Sequence, residues 1–465
     1  MASIALRPKV IIVGAGIGGL VLAILLEQAG VPYEILERAT VVKPLGSALA
    51  LGVNVMPFFK QVGLYDEIMS IGKVFDELVV FSENREPVIQ RDLRSEVELG
   101  GSLGIIVARP KLYDIFLRHV PAAKILRGKR VESIEEFDGG VRVTCKDGSI
   151  HEGHILVGAD GAYSTVRRSL YDRLKGENKL PATDDEELPF NFSCIVGQTA
   201  PLDPKKFTQL NDVLSQSHAV IGDNKPYSWG TITTKDDTIC WTVIRELEDS
   251  MKKEVRSRIR SPEQASAATE EMCTETRDFP LPLKIDRWTG DAVNLTLGDL
   301  YDNTPRDLVS IVTLEEKVFE TWYAGRTVLM GDAIHKMNPA GGQGAVTAMH
   351  DAIILANWIN AIPSTSVNDI ERAFREYKEE RFQNAVASFK SCQGAGKILE
   401  KNMIAAAARF VLKMIPSWVW NTALQSVHKK IIENRPQAAF LPLAEDLGTV
   451  PPAYQPSLHR TLSVQ

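Results

Sequence analysis

Thr327-Val328-Leu329-Met330-Gly331-Asp332-Ala333-Ile334-His335-Lys336-Met337-Asn338-Pro339-Ala340-Gly341-Gly342-Gln343-Gly344 reads as a short apolar strand, a glycine-rich turn and the start of a helix. The helical pattern continues from Ala345 to Asn357. A similar strand-turn-helix unit opens the chain at Val10 to Gly30. Two such units far apart in sequence suggest one large ligand held from both ends of the chain.

The first unit has every part of a nucleotide-binding turn. Lys9-Val10-Ile11-Ile12-Val13 has the unbroken apolar run of a buried parallel strand. Gly14-Ala15-Gly16-Ile17-Gly18-Gly19 follows as G-x-G-x-x-G, and Leu20 to Gln28 carries helical apolar spacing up to Gly30. A second strand, Pro32 to Glu37, ends in a carboxylate 23 residues after Gly14. Gly14 permits the tight turn, Gly16 admits a pyrophosphate to the backbone, and Gly19 lets helix and strand pack closely. The helix N-terminus offers unpaired N–H groups to phosphates, and Glu37 can accept hydrogen bonds from ribose hydroxyls. The motif alone does not separate NAD from FAD. An acid at Glu37 disfavours a 2'-phosphate on that ribose.

Composition narrows the class. The 465 residues suffice for two or three domains, and 44% apolar with 24% charged residues is an ordinary globular balance. A net charge of -6 excludes a general nucleic-acid binder, so no nucleic-acid partner is expected. Five scattered cysteines without a CxxC pair show neither a metal signature nor a disulfide framework, which points to a reducing, cytoplasmic setting. The run Val10 to Leu26 is interrupted by four glycines and is too short for a span.

Two further segments complete the pattern. Ile155-Leu156-Val157-Gly158-Ala159-Asp160-Gly161-Ala162-Tyr163-Ser164-Thr165-Val166-Arg167 is a strand, a turn and a helix start, with Ser164 as N-cap. Val107-Ala108-Arg109-Pro110 places Arg109 just before a helix that opens on proline.

With G-x-G-x-x-G, A-D-G-x-x-S-x-x-R and G-D-A-x-H-x-x-x-P-x-x-G-Q-G in order from about residue 8 to 390, the chain closely resembles the single-component flavin monooxygenases, the class of p-hydroxybenzoate hydroxylase. Its nearest style is that of fungal secondary-metabolite hydroxylases and epoxidases. The resemblance implies an α/β fold: a Rossmann-type FAD-binding domain with an inserted mixed β-sheet substrate domain and a helical C-terminal extension. The segments would be 1–185, 186–318, 319–392 and 393–465. It also implies noncovalent FAD, NADH or NADPH as a transient donor, and O2 as co-substrate. Oxygen would pass through a flavin C4a-hydroperoxide to an apolar or aromatic small molecule, as hydroxylation or epoxidation.

Residue by residue, the resemblance implies a cofactor set. Gly14, Gly16 and Gly19 would face the pyrophosphate, and Glu37 with Arg38 the adenosine ribose. Arg109 would reach the phosphate or ribose region, and Asp160 would serve both FAD and the donor. Asp332 would bind the ribityl or pyrophosphate portion, and Gly344 and Ala345 the pyrimidine end of the flavin. Gly46-Ser47-Ala48-Leu49-Ala50 matches the loop beside the ring, with Ala50 in place of a more usual glycine. Val346 stands where the family often has Asn, so that contact is lost or moved to Thr347.

The middle segment alternates at Phe190–Gly197, Tyr227–Ile232 and Thr238–Ile244, as strands of a mixed or antiparallel sheet. Tyr227 is the candidate catalytic residue, and Tyr227, Trp229 and Trp241 are candidate pocket-wall residues against an equal claim from core packing. His335 more readily satisfies local groups than acts as a base, Asp351 can cap a neighbouring loop, and Arg167 can pair with a carboxylate. Gly101 to Gly104 reads as a plain turn. The run 403–420 is too short to span a bilayer and is read as a helix packed on the protein or on a second copy in a homodimer, with weak membrane-surface contact as the other reading. Thr449 to Gln465 reads as loosely ordered.

Three rivals share the fold. A flavin halogenase would need W-x-W-x-I-P in the catalytic region, whereas Trp418-Val419-Trp420 lies in the tail. A reductase of isoprenoid-like substrates is not separated by motif. A non-catalytic binder of prenylated proteins would have no need of intact Asp160, Asp332 and G-Q-G.

Overall fold

The computed structural model describes residues 7–42, 46–222, 225–281, 295–398, 400, 407, 417–445 and 447–462. The continuous apolar runs form a six-stranded sheet in the order Tyr323–Ala324, Thr327–Leu329, Ile155–Gly158, Val10–Val13, Tyr33–Glu37, Ile125–Arg127. All pairs but the first are parallel. Ile11, Ile12, Leu156, Val157 and Val328 have no exposed surface. Burial on both faces explains why these strands read as unbroken apolar runs rather than alternating ones.

Helices Ile17–Gln28 and Gly344–Asn360 pack side by side on this sheet. The contact is made where side chains are smallest. A β carbon placed on Gly18 would stand 3.4 Å from that of Ala348, and one on Gly331 would stand 3.2 Å from it. The late strand-turn-helix unit therefore lies against the first one.

A seven-stranded sheet forms the second layer, in the order Ser310–Glu315, Phe190–Gln198, Thr238–Glu246, Tyr227–Thr234, Ser217–Ile221, Glu77–Ser82, Pro87–Asp92. Only Ser217–Ile221 and Glu77–Ser82 pair in parallel, so the sheet is mixed, as the alternating pattern suggests. Two of its strands come from before residue 93, so the segment 1–185 contributes to both sheets. Helices Asp249–Arg260 and Pro262–Thr276 cover one face, over a second core that includes Trp229, Trp241, Met272 and Phe279.

The 32-residue helix Val367–Ile398 runs through the boundary at 392. Of the run 403–420, only Ala407 and the start of helix Ser417–Glu433 fall within the described residues. Among the described residues no helix is long and apolar enough to cross a membrane.

The tail is docked, against the loosely ordered reading. Thr449 and Val450 donate backbone N–H groups to Glu98 and Leu99 carbonyls at 3.0 and 3.1 Å. Asn357 is 1% exposed and sits at the centre of the attachment. Its amide donates to the Gln437 carbonyl (3.0 Å) and Ser457 Oγ (3.1 Å) and accepts the Ala439 N–H (2.8 Å). Buried amide and hydroxyl groups add to the apolar contact of Val450 with Val53, Leu99 and Ile432. Asn357→Ala should lower stability by about 2–3 kcal/mol through unsatisfied buried partners, with faster proteolysis of residues after 433. An unchanged melting temperature would remove Asn357 from that role.

Candidate active site

Strands Val10–Val13, Ile155–Gly158 and Thr327–Leu329 are adjacent and parallel, so the turns after them emerge together at one edge. Their exits are tied to one another. Gly14 donates to the Leu36 carbonyl (2.9 Å), Ala159 to Val13 (2.9 Å) and Met330 to Gly158 (3.0 Å). The carboxyl edge of a parallel sheet is where such folds bind ligands.

The first turn is tightly packed at Gly14 and Gly19 and open at Gly16. Gly14 holds φ +106°, and a β carbon there would lie 2.5 Å from the Ala159 carbonyl oxygen. One on Gly19 would lie 2.1 Å from the Gly14 oxygen, whereas Gly16 is exposed with nothing within 4 Å. Helix Ile17–Gln28 has no side-chain cap, which leaves its first N–H groups for a ligand. Glu37 accepts the Ala15 N–H (2.9 Å) and the Ala39 N–H (2.8 Å), so its carboxylate stands at the mouth of this turn. Arg38 beside it is exposed.

At the other end Asp332 forms an ion pair with Lys336 at 2.6 Å, and 36% of the Asp332 side chain remains accessible. Burial works to raise the Asp332 carboxyl, but Lys336, His335 and Arg109 overcome it and hold it below its usual range. Arg109 lies against Gly46, where a β carbon would be 2.8 Å from its Cδ. Burial pulls its guanidinium down while Asp332 opposes, and the residue keeps exposed surface. Beside it, a β carbon on Gly342 would stand in van der Waals contact with that of Ala50, at 3.9 Å. Helix Gly344–Asn360 begins there without a side-chain cap, and Gly344 and Ala345 are partly exposed.

A buried charged group fixes the turn before Asp332. The Asp351 carboxylate accepts the Gly331 N–H (3.0 Å) and Arg381 Nε (2.9 Å) and pairs with His335 Nε2 (2.5 Å). His335 and Asp351 are 0% exposed and Arg381 1%. Burial would raise the Asp351 carboxyl; His335 and Arg381 reverse that and push it far down. His335 is thus a structural partner rather than a base facing substrate, and Asp351 does tie down a neighbouring turn.

The turns carrying Gly14, Gly16, Gly19 and Asp332 leave the sheet at one edge, where Glu37 holds the first turn, Arg109 lies near Asp332, and Ala50 meets Gly342 just before Gly344 and Ala345, but not every expected residue joins them. Tyr227 is a correction. Tyr227, Trp229 and Trp241 all point into the helix-covered core, and the Tyr227 hydroxyl donates to Glu275 of helix Pro262–Thr276. The opposite face carries Cys240, whose thiol hydrogen-bonds Ser47 of the loop beside Ala50. Asp160 has its carboxylate taken by the Ser164 hydroxyl and the Thr165 and Val166 N–H groups, so it shapes the turn and caps helix Thr165–Gly176. Val346 is 1% and Thr347 2% exposed, so neither faces the cleft. Arg167 binds the Ala333 and Ala162 carbonyls at 2.8 and 2.7 Å rather than a carboxylate. Lys336 was missed; its spacing of four from Asp332 was the available signal. The Cys240–Ser47 contact had no signal in the sequence.

The chain matches a family model described as FAD binding domain over residues 7–273 and 295–387. It is 30% identical over 400 residues to the FAD-dependent monooxygenase paxM of Penicillium paxilli, covering 82% of this chain and 77% of that protein. It is 29% identical over 405 residues to the FAD-dependent monooxygenase ptmM of Penicillium ochrochloron, covering 82% and 86%. Klebsiella pneumoniae HpxO, solved with FAD and uric acid, shares the fold with a TM-score of 0.69 at 20% identity, over 92% of this chain and 96% of that one.

His350, six residues along the same helix from Gly344, gives the protein a pH limit. Its Nε2 faces the Asn54 carbonyl at 3.1 Å, and burial, aided by Arg381, pushes it down from 6.5 to about 3. Between those values the unfolded chain binds a proton that the native protein excludes, so stability falls as pH drops. The slope should approach about 1.4 kcal/mol per pH unit below pH 6. Thermal melts at pH 7 to 4 should show a shallower acid loss in His350→Gln; an identical slope would discard this source.

Proposed function

The chain belongs to the FAD binding domain family, among the FAD-dependent monooxygenases, and on that ground we propose that it uses NADH or NADPH and O2 to hydroxylate or epoxidise an apolar or aromatic small molecule. The observation that carries this reading is the meeting of three sequence-distant turns at one sheet edge, with Gly342 packed beside Ala50. When bound, FAD supplies the two-electron transfer and the activation of oxygen.

The residues present fit that cofactor. The Gly14–Gly19 turn and the uncapped helix behind it would take the pyrophosphate, with Glu37 accepting from the adenosine ribose. Arg109 and Lys336 bring two positive charges to the phosphate side, and Asp332 between them is placed to accept from ribityl hydroxyls. The uncapped N-terminus at Gly344 and Ala345 would favour negative charge on the ring.

The apolar character of the substrate is supported by the sheet face that carries Cys240. Ile232 pairs directly with Cys240, and Gly230, Thr242 and Val196 pair in the next row on that face. All four are partly exposed and none is ionisable, so this wall would shield the reacting region from water without anchoring a charged group.

Asp332→Ala should weaken FAD binding tenfold or more, the loss of about 1.5–3 kcal/mol in charge-assisted hydrogen bonding, read by flavin absorbance of the purified protein. Full FAD occupancy in that variant would contradict the assignment. Among small molecules that accelerate NAD(P)H oxidation, the substrate should yield an oxygenated product; consumption with no such product would favour an oxidase or reductase instead.

A further inference from the structure

The face of the seven-stranded sheet opposite Trp229 and Trp241 is crossed by one register row. Gln198, Cys240, Ile232, Ser217, Leu78 and Arg91 pair in turn along it. In this row and in the one that begins at Val196, Arg91 is the single charged side chain. Cys240 meets Ser47 of the FAD-binding side. Four strand intervals of about 4.8 Å separate Cys240 from Arg91, about 19 Å in all. Leu78 and Ile232, between them, keep accessible surface.

A buried histidine holds Arg91. Arg91 Nε donates to His428 Nε2 at 2.8 Å, and Nη2 closes on the same nitrogen. The ring therefore offers its lone pair at Nε2 and carries its proton on Nδ1, 4.0 Å from Glu96. His428 is 1% exposed, and burial together with Arg91 pushes it down to about 4, so the ring is neutral near pH 7. Its helix, Ser417–Glu433, is fixed in turn: Ile432 packs with Val53, Leu99 and Val450, and Asn434 approaches His350 Nδ1 at 3.4 Å.

His428 occupies one edge of the guanidinium and leaves the other. Nη1 and the outer N–H of Nη2 have no acceptor among the described residues, while burial pulls the guanidinium down and Glu96 opposes. Arg91 keeps some accessible surface. Other buried arginines of this protein are answered more fully. Arg326 donates to the carbonyls of His154, Thr365 and Asp138, and Arg167 to those of Ala333 and Ala162. A guanidinium with an unused edge, on a face without other charge, calls for an acceptor that the chain does not supply.

We propose that Arg91 is a specificity-determining residue that takes an oxygen acceptor at the end of the substrate remote from the flavin, with His428 as its positioning partner. The substrate is then an elongated apolar molecule with a terminal carbonyl, hydroxyl or carboxylate oxygen. The proposal rests on the reading that the flavin ring lies beside loop 46–50, next to Cys240.

The test titrates the FAD-loaded protein with tetradecanoic acid, 1-tetradecanol and tetradecane, read by the flavin absorbance spectrum. In the unaltered protein the acid or the alcohol should bind about tenfold or more tighter than the alkane, the worth of one charge-assisted hydrogen bond. Which of the two is favoured tells an anionic terminus from a neutral one. Arg91→Met should bring all three within about twofold and leave the FAD Kd unchanged. Arg91→Lys, with no planar fork to serve His428 and a ligand together, should lose most of the preference. His428→Gln, still an acceptor, should keep it. Equal affinity for all three in the unaltered protein, or a preference that survives Arg91→Met, overturns the proposal. So does a flavin spectrum that none of the three perturbs while FAD is fully bound, and the cofactor reading then stands. A chain that takes up no FAD overturns the cradle reading, and this proposal with it.

Discussion

The close approach of helices Ile17–Gln28 and Gly344–Asn360 is the constraint on which the remaining architecture depends. Gly18, Gly331 and Ala348 leave so little between them that the two helices act as one packed unit. Their N-termini consequently open at the same sheet edge. A larger side chain at any of the three would push this contact apart. Close-packed interiors transmit such displacements rather than absorbing them.

The Asp351 group does for the turn what the glycines do for the helices. Three ionisable side chains are buried together, which carries a heavy desolvation cost unless geometry and hydrogen bonding offset it. Here one carboxylate serves a backbone N–H, a histidine and an arginine from three separate elements. Loss of any partner leaves charge stranded in the core, so the group tolerates only one arrangement. That property suits a turn that must present Asp332 and Lys336 at a fixed height.

Most of the cleft was legible in the sequence because its parts are local. A strand, a glycine turn and a terminal carboxylate within 30 residues specify their own geometry, and three such units in order left few ways to arrange them. What was not legible depends on faces and long-range pairing. Alternation shows that Tyr227 and Ser228 point opposite ways but not which side is covered by helices, so pocket wall and core packing stayed equally open for Tyr227. Asp160 has the residue type of a ligand-binding acid, and only the backbone N–H groups of Thr165 and Val166 reveal its occupation. The tail has the composition of loose chain, yet Asn357, Gln437, Gln455 and Ser457 hold it through polar groups that no hydrophobic pattern reports.

The strand order of the central sheet also dictates when the protein can become itself. Val10–Val13 lies beside Ile155–Gly158, which lies beside Thr327–Leu329. Gly18 and Ala348 are 330 positions apart (348 minus 18). At ribosomal speeds of about 5–20 residues per second, the apolar first helix waits roughly 16–66 s for its packing partner to be made. The dinucleotide turn is thus among the first segments synthesised and among the last to gain its neighbour. For this topology cofactor capture waits until residue 348 of 465 has been made, and the nascent chain carries an unsatisfied apolar helix through most of its own production.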